Sequence, residues 1–263
     1  MATGDVQVEV VSPNGKAGAI FDGVDDYIKI SDSNSLDVDE ITLSMYVKLN
    51  SAPLTNYYLT TRLNDTNTQE SFRIYIDSNL KINMIMSDDG DTSTPELTDD
   101  SLKLNKWYHL IFTYSLGTYK IYVNGIQVST DGSGNATGTL YKGSGQITNG
   151  ARYDSGDGIY KLFLNGILSD IRYYGCALTT NEALRLGTGE NITRCLVSNC
   201  KLESDYKDSV DSNDGINSGT RLSIVDDSIA ASVRAMRTGA NDKWAMCTSD
   251  DGQQVIIINR EEA

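Results

Sequence analysis

The chain has 263 residues and carries 36 Asp and Glu against 22 Lys and Arg, a formal net charge of −14. Such acidity argues against a nucleic-acid partner, whose phosphates need clustered Lys and Arg, and against an anionic membrane surface. No apolar run reaches the roughly 18 residues a membrane-spanning helix requires, and the length suits one large domain with a small appendage.

The first ten residues, MATGDVQVEV, lack the basic and apolar regions of a Sec export signal. Next comes AIFDGVDDYIKI, residues 19–30, where two apolar runs flank three acids and a glycine. Two readings stay open. Asp22-Gly23 and Asp25-Asp26 make a turn between strands, the Asp side chains capping its backbone and Gly23 supplying a positive φ. Alternatively, Asp22, Asp25 and Asp26 hold a divalent cation, since Ca2+ takes clustered carboxylate oxygens. The EF-hand spacing fits neither DSVDSNDG nor MSDDGD, where Val210 or Ile85 would stand at the first ligand position.

Short alternating strands follow, punctuated by Gly, Asn, Asp and Ser, which is the pattern of an all-β sandwich or barrel. In ITLSMYVKL, residues Ile41, Leu43, Met45, Val47 and Leu49 fall on one face, and Thr42, Ser44, Tyr46 and Lys48 on the other. Tyr57 and Tyr58 occupy a loop. SFRIYID and LKINMIM pair through DSN, and KWYHLIFTYS and TYKIYVNGIQV pair through LG. His109, the single histidine, alternates with Trp107 and Ile111 and reads as a packed strand residue. A polar stretch, residues 130–158, carries Tyr141 and Tyr153; tyrosines in such loops suit sugar stacking, so Tyr57, Tyr58, Tyr141 and Tyr153 are the candidate ligand-binding residues. Asn64, Asn135 and Asn191 open glycosylation sequons at a frequency that chance also supplies.

Further on, GIYKLFLNGILSDIRYY repeats the strand pattern. In LTTNEALRL, Thr179 and Glu182 have capping-box spacing, predicting a two-turn helix. Cys195 and Cys200 are the close pair and are expected to form a disulfide; Cys176 and Cys247 stand alone, and one His with no second Cys pair is a poor zinc signal. Catalytic carboxylates are not spaced as a pair: Glu40, Glu70 and Glu96 are solitary at predicted turns, and no G-x-S-x-G occurs.

Four segments in order carry a resemblance. AIFDGVDDYIKI, ITLSMYVKL, KWYHLIFTYSLGTYKIYVNGIQV and GILSDIRYYGCALTTNEALRL resemble the laminin G-like, concanavalin A-like jelly roll, the lectin and glucanase superfamily fold. Tyr46 stands where that family usually has Trp. The resemblance spans about residues 17–187. It implies an all-β, two-sheet antiparallel jelly-roll sandwich with one short helix. It also permits a structural Ca2+ assembled from Asp22, Asp25, Asp26 and a distant Asp170. The family's opening strand and its D-x-S-G-N turn are missing, while a similar stretch appears late, at residues 196–220. That stretch either completes the sandwich or begins a small β-rich C-terminal unit. The second is the expectation, with domains at 1–190 and 191–263, the latter anchoring or oligomerising.

The functional expectation is a non-enzymatic surface protein. The missing export signal points to a virus particle: a capsid decoration, spike, turret or fibre on the virion surface, with host carbohydrate or glycoprotein and other virion subunits or copies of itself as partners. The alternative is a secreted or cell-surface carbohydrate-binding module. A glycoside hydrolase of the same fold is the third reading, disfavoured by the missing carboxylate pair. Neither nucleic acid nor membrane insertion is expected.

Overall fold

The computed structural model describes residues 17–63, 70–91, 95–128, 134, 136–154, 157–223, 245–248 and 254–257. In chain order the strands are β1 Ala19–Asp22, β2 Tyr27–Ile30, β3 Ile41–Leu49, β4 Asn56–Leu63, β5 Glu70–Asp77, β6 Lys81–Met86 and β7 Glu96–Ser101. There follow β8 Trp107–Ser115, β9 Thr118–Val123, β10 Ile126–Gln127, β11 Ile147–Asn149, β12 Arg152–Asp154, β13 Ile159–Lys161 and β14 Asn165–Tyr174. Helix α1, Thr180–Gly187, precedes β15 Leu196–Cys200, β16 Gly215–Ser218, β17 Arg221–Leu222, β18 Ala245–Thr248 and β19 Gln254–Ile257.

Two antiparallel sheets make the sandwich. One runs β10-β9-β8-β3-β14-β1-β17, with β15 also on β14; the other runs β16-β2-β11-β4-β5-β6-β7. Alternation decides what lies between them. Ile41, Leu43, Met45, Val47 and Leu49 of β3 all point into the common core, with Phe72, Ile74 and Ile76 of β5 and Leu110 and Phe112 of β8. The other face of β3 is buried as well. Over the outer side of that sheet, α1 lays Ala183 and Leu186 onto Ile111, Tyr122 and Tyr174. The helix begins as its sequence predicts: Thr179 Oγ accepts from the Glu182 N–H, and the Glu182 carboxylate accepts from the Thr179 N–H. Its C-terminal Gly187 meets the β9–β10 turn so closely that a Cβ there would lie 2.3 Å from the Gly125 Cα.

Two expectations need correction. Residues 196–222 do not start a separate unit: β15 bonds to β14, β16 to β2 and β17 to β1. The edges left by the short β1 and β2 are covered from the C-terminal side, so the sandwich continues to Leu222 and no boundary falls at 190. Beyond it, β18 and β19 pair with each other in a two-stranded sheet.

The disulfide joins Cys176 to Cys195, with Cα atoms 5.9 Å apart, and Cys200 is a buried free thiol. Cys195 lies just before the extended β15 and Cys200 at its far end, five residues or roughly 16 Å apart, beyond the reach of a bridge. Antiparallel pairing of β14 with β15 instead brings Cys176, just past one strand, opposite Cys195, just before the other.

Candidate functional site

The acidic corner lies between β1 and β2. The Asp22 N–H donates to Asp26 Oδ2 and the Val24 N–H to Asp22 Oδ1, each at 2.8 Å, while Gly23 has φ 84°. The acids therefore do build the turn. They also lie together: one oxygen each of Asp22, Asp25 and Asp26 falls within 4.8 Å of the others. That span is about twice a Ca–O bond, so three such oxygens fit around one calcium ion. Asp26 is buried and its second oxygen abuts Gly219, where a Cβ would come within 1.9 Å. Burial raises the Asp26 pKa, against the Asp22 backbone bond that lowers it, and the neighbouring charges of Asp22 and Asp25 raise it further. The donor set suits a hard cation.

Asp170 is not part of this corner. Asn165 faces Asp22 in the β1–β14 register, and Asp170 lies five residues further along β14, roughly 16 Å away. It sits at the irregularity in the β14–β3 register, with φ 50°, and its carboxylate takes the Nε and Nη2 of Arg172 at 3.0 and 2.8 Å. Arg172 in turn donates to Asn191 Oδ1 at 2.9 Å.

The larger constellation is on the outer face of the seven-stranded sheet. Ile28, Ile30, Ile147 and Ile74 point into the core, so their neighbours Lys29, Thr148 and Arg73, with Thr61 beside them, point outward. These four stand opposite one another in register on β2, β11, β4 and β5, forming one row across the sheet. Arg73 is ion-paired with Glu70. Tyr27, Tyr58 and Tyr75 line one flank of the row. The Tyr58 and Tyr75 rings stack at 5.1 Å.

The β12–β13 hairpin lies over this face. Its Tyr160 ring stacks on Tyr27 with centroids 3.6 Å apart, Tyr153 tilts against Tyr160 at 5.0 Å, and the Tyr160 hydroxyl meets Gln146 Nε2 at 2.6 Å. Burial and the adjacent Tyr27 push the Tyr160 pKa up to about 12, so its phenol stays protonated. Lys161 braces the hairpin through Asp154 and Asp157 at 3.1 and 2.6 Å.

Of the four expected tyrosines, Tyr58 and Tyr153 join this constellation. Tyr57 does not: it packs against the core with its hydroxyl on Ser51 Oγ at 2.8 Å. Tyr141 is held by its main chain, donating to Ser87 and accepting from Ser71 Oγ, near the opposite flank of the row. Tyr27, Tyr75 and Tyr160 were missed. The signal for the first two was alternation with Ile28, Ile74 and Ile76, which points both tyrosines away from the core; a search confined to loops passes over it.

His109 is packed, as its alternation predicts. Its Nε2 meets Ser44 Oγ at 2.8 Å and its ring stacks on Tyr46 at 4.2 Å. Burial lowers its pKa to about 4. Both Ser44 and His109 are closed to solvent, so this Ser–His contact has no approach for a substrate. Glu40 accepts from Ser115 Oγ and the Ala177 N–H, while Glu70 and Glu96 open β5 and β7 rather than lying in turns. Sequons Asn64 and Asn135 lie outside the described residues, as does Cys247's side chain.

A family model for the concanavalin A-like lectin/glucanases superfamily, of laminin G type, matches residues 22–183. The chain belongs to this superfamily. No curated protein matches the sequence. Among solved structures, a protein of Bacteroides ovatus described as carbohydrate binding shares the fold at TM-score 0.63 and 17% identity, over 80% of this chain and 60% of that one. This laminin G-like chain therefore spans three fifths of that protein's length. The heptameric SAP-like pentraxin of Limulus polyphemus aligns at TM-score 0.59 and 18% identity, over 81% of this chain and 97% of the pentraxin.

Proposed function

We propose that this chain is a carbohydrate-binding module that acts without turnover and uses the outer face of the seven-stranded sheet. One observation carries the proposal: tyrosines from β2, β4, β5 and the β12–β13 hairpin gather beside a row of hydrogen-bonding side chains. Aromatic faces take the apolar side of a sugar ring and the polar row takes its hydroxyls, the mixture that small-ligand sites use. The description of the Bacteroides ovatus neighbour as carbohydrate binding supports the same reading. Self-association, which would multiply weak sites, belongs to the proposal too, in keeping with the heptamer described for the Limulus neighbour.

The Cys176–Cys195 bridge favours an oxidising, extracellular setting. The virion-surface reading drew on the N-terminal residues, which lie outside the described structure; nothing in the sandwich adds to it. Calcium is part of the proposal, with Asp22, Asp25 and Asp26 holding it. A bound ion would neutralise the carboxylates that crowd Asp26 and fix the β1–β2 turn.

The test is a glycan-binding screen of the full chain, with and without EDTA. Wild type is expected to bind at least one oligosaccharide class, and Tyr27→Ala or Tyr75→Ala to weaken it about tenfold, a loss of ~1.4 kcal/mol. Unchanged binding in both variants would place the ligand elsewhere. Full affinity and an unchanged melting temperature in EDTA would remove calcium from the proposal.

A further inference from the structure

We propose that the glycan taken by this face is anionic, its carboxylate or sulfate seated on the row Lys29–Thr148–Thr61–Arg73 beneath the hairpin. This rests on the sheet-face reading above and names the ligand class.

The hydroxyls of Thr61 and Thr148 carry the argument. Both residues are shut from solvent, at 1% and 0% exposure, and neither Oγ has a hydrogen-bond partner. They stand directly opposite one another in the β4–β11 register, which puts their Cβ atoms roughly 5 Å apart. Arg152 Nε, on the covering hairpin, is buried and unpartnered as well. Buried polar groups are nearly always hydrogen-bonded. Three orphans in one small region, two of them adjacent, mark a place built for something that accepts hydrogen bonds.

Charge selects the kind of acceptor. Lys29 ends the row on one side and Arg73 on the other, and Arg152 lies close enough to act on Glu70. Against these three cations stands Glu70, already paired with Arg73. On the hairpin itself, Asp154 and Asp157 are drawn to Lys161. The row is thus a basic strip in a chain of net charge −14. A neutral hydroxyl would satisfy the threonines but bring no charge to Lys29 and Arg152, whereas a carboxylate or sulfate answers both. Lys29, at one end of the row, and Arg152, on the covering hairpin, are half-buried, while Arg73 at the other end is buried, so solvent reaches the strip from the Lys29 end and along the hairpin. The adjoining tyrosines then hold the sugar ring that bears the charge.

Calorimetry on the full chain tests this with three hexasaccharides: one carrying only carboxylates, one sulfated and one neutral. An acidic ligand is expected to bind at least tenfold more tightly than the neutral one, and the difference to shrink as salt is raised. The carboxylate and sulfate arms show which group the row accepts. Thr61→Val combined with Thr148→Val should cost the acidic ligand about tenfold or more and the neutral one markedly less, so that the preference for acid shrinks. Lys29→Gln, on the half-exposed end, should do the same without touching the buried face. Equal affinity for neutral and acidic ligands, or undiminished acid binding by all these variants, would overturn the anionic assignment and leave only water on the row. The sheet-face reading would survive that result; binding of no hexasaccharide at all would overturn both.

Discussion

His109 shows what burial does to one titratable residue. It is the chain's single histidine, held between Ser44 and the Tyr46 ring. Burial drives its pKa down to about 4, with Asp170 pulling it up and Arg172 pushing it down. The folded protein therefore keeps the ring neutral at a pH where the unfolded chain, with an ordinary value near 6.5, protonates it. Between those values the unfolded state binds more protons, so stability falls as pH falls through 6.5 and levels off below about 4. The whole effect is on the order of 3 kcal/mol. The raised pKa values of Asp26 and Glu70 act oppositely at lower pH, so the contribution is isolated by comparison with a variant. Urea unfolding from pH 7 to 4 should show wild type losing stability relative to His109→Gln; parallel pH profiles would mean that His109 is solvated in the native state.

At the scale of elements, the disulfide is the device most exposed to test. It closes a loop containing α1 and the approach to β15, the two cysteines being separated by 19 positions in sequence. Restricting the unfolded chain over such a loop stabilises by about 3 kcal/mol. Cys176→Ser and Cys195→Ser should each lower urea stability by about that much and abolish its sensitivity to reductant. Cys200→Ser should leave that sensitivity intact, because burial pushes the Cys200 thiol up to about 12 and keeps it a neutral core group. The reverse pattern would restore the pairing of Cys195 with Cys200. Sequence favoured that pairing because spacing along the chain is visible and strand register is not. Local features were readable for the same reason: the alternation of β3, the turn at Gly23 and the Thr179–Glu182 cap each lie within a few residues. Tyr27 and Tyr75 were readable as outward-facing, but only the sheet order shows that they flank one row. Asp170 illustrates the converse, since its distance from Asp22 follows from the β1–β14 register alone.

For the whole molecule, the question is where the folding unit ends. β14 is ten residues long, and its one edge is shared: β1 covers Asn165–Leu168 and β15 covers Ile171–Tyr174. On the second sheet, β2 is flanked by β11 and by β16. β17 closes the outer side of β1, and Gly18 and Ser223 exchange hydrogen bonds beyond it, at 2.8 Å each. The late segment also fills the core through Cys200 and Leu202, both almost wholly buried. Asp26, the innermost acid of the proposed calcium corner, packs against Gly219 of the same segment. A chain cut after residue 190 would lose the three sandwich strands β15–β17, expose unpaired edges on β14, β1 and β2, and open one wall of that corner, which together exceeds the 5–15 kcal/mol that holds a typical domain folded. Residues 1–190 are therefore expected to aggregate or to lack the near-ultraviolet dichroism of packed tyrosines. Residues 1–223 should retain that dichroism, cooperative unfolding and the full chain's glycan affinity. A soluble, cooperatively unfolding 1–190 fragment would return β15–β17 to the status of an appendage; loss of glycan affinity in 1–223 alone would assign part of the binding surface to the residues that follow.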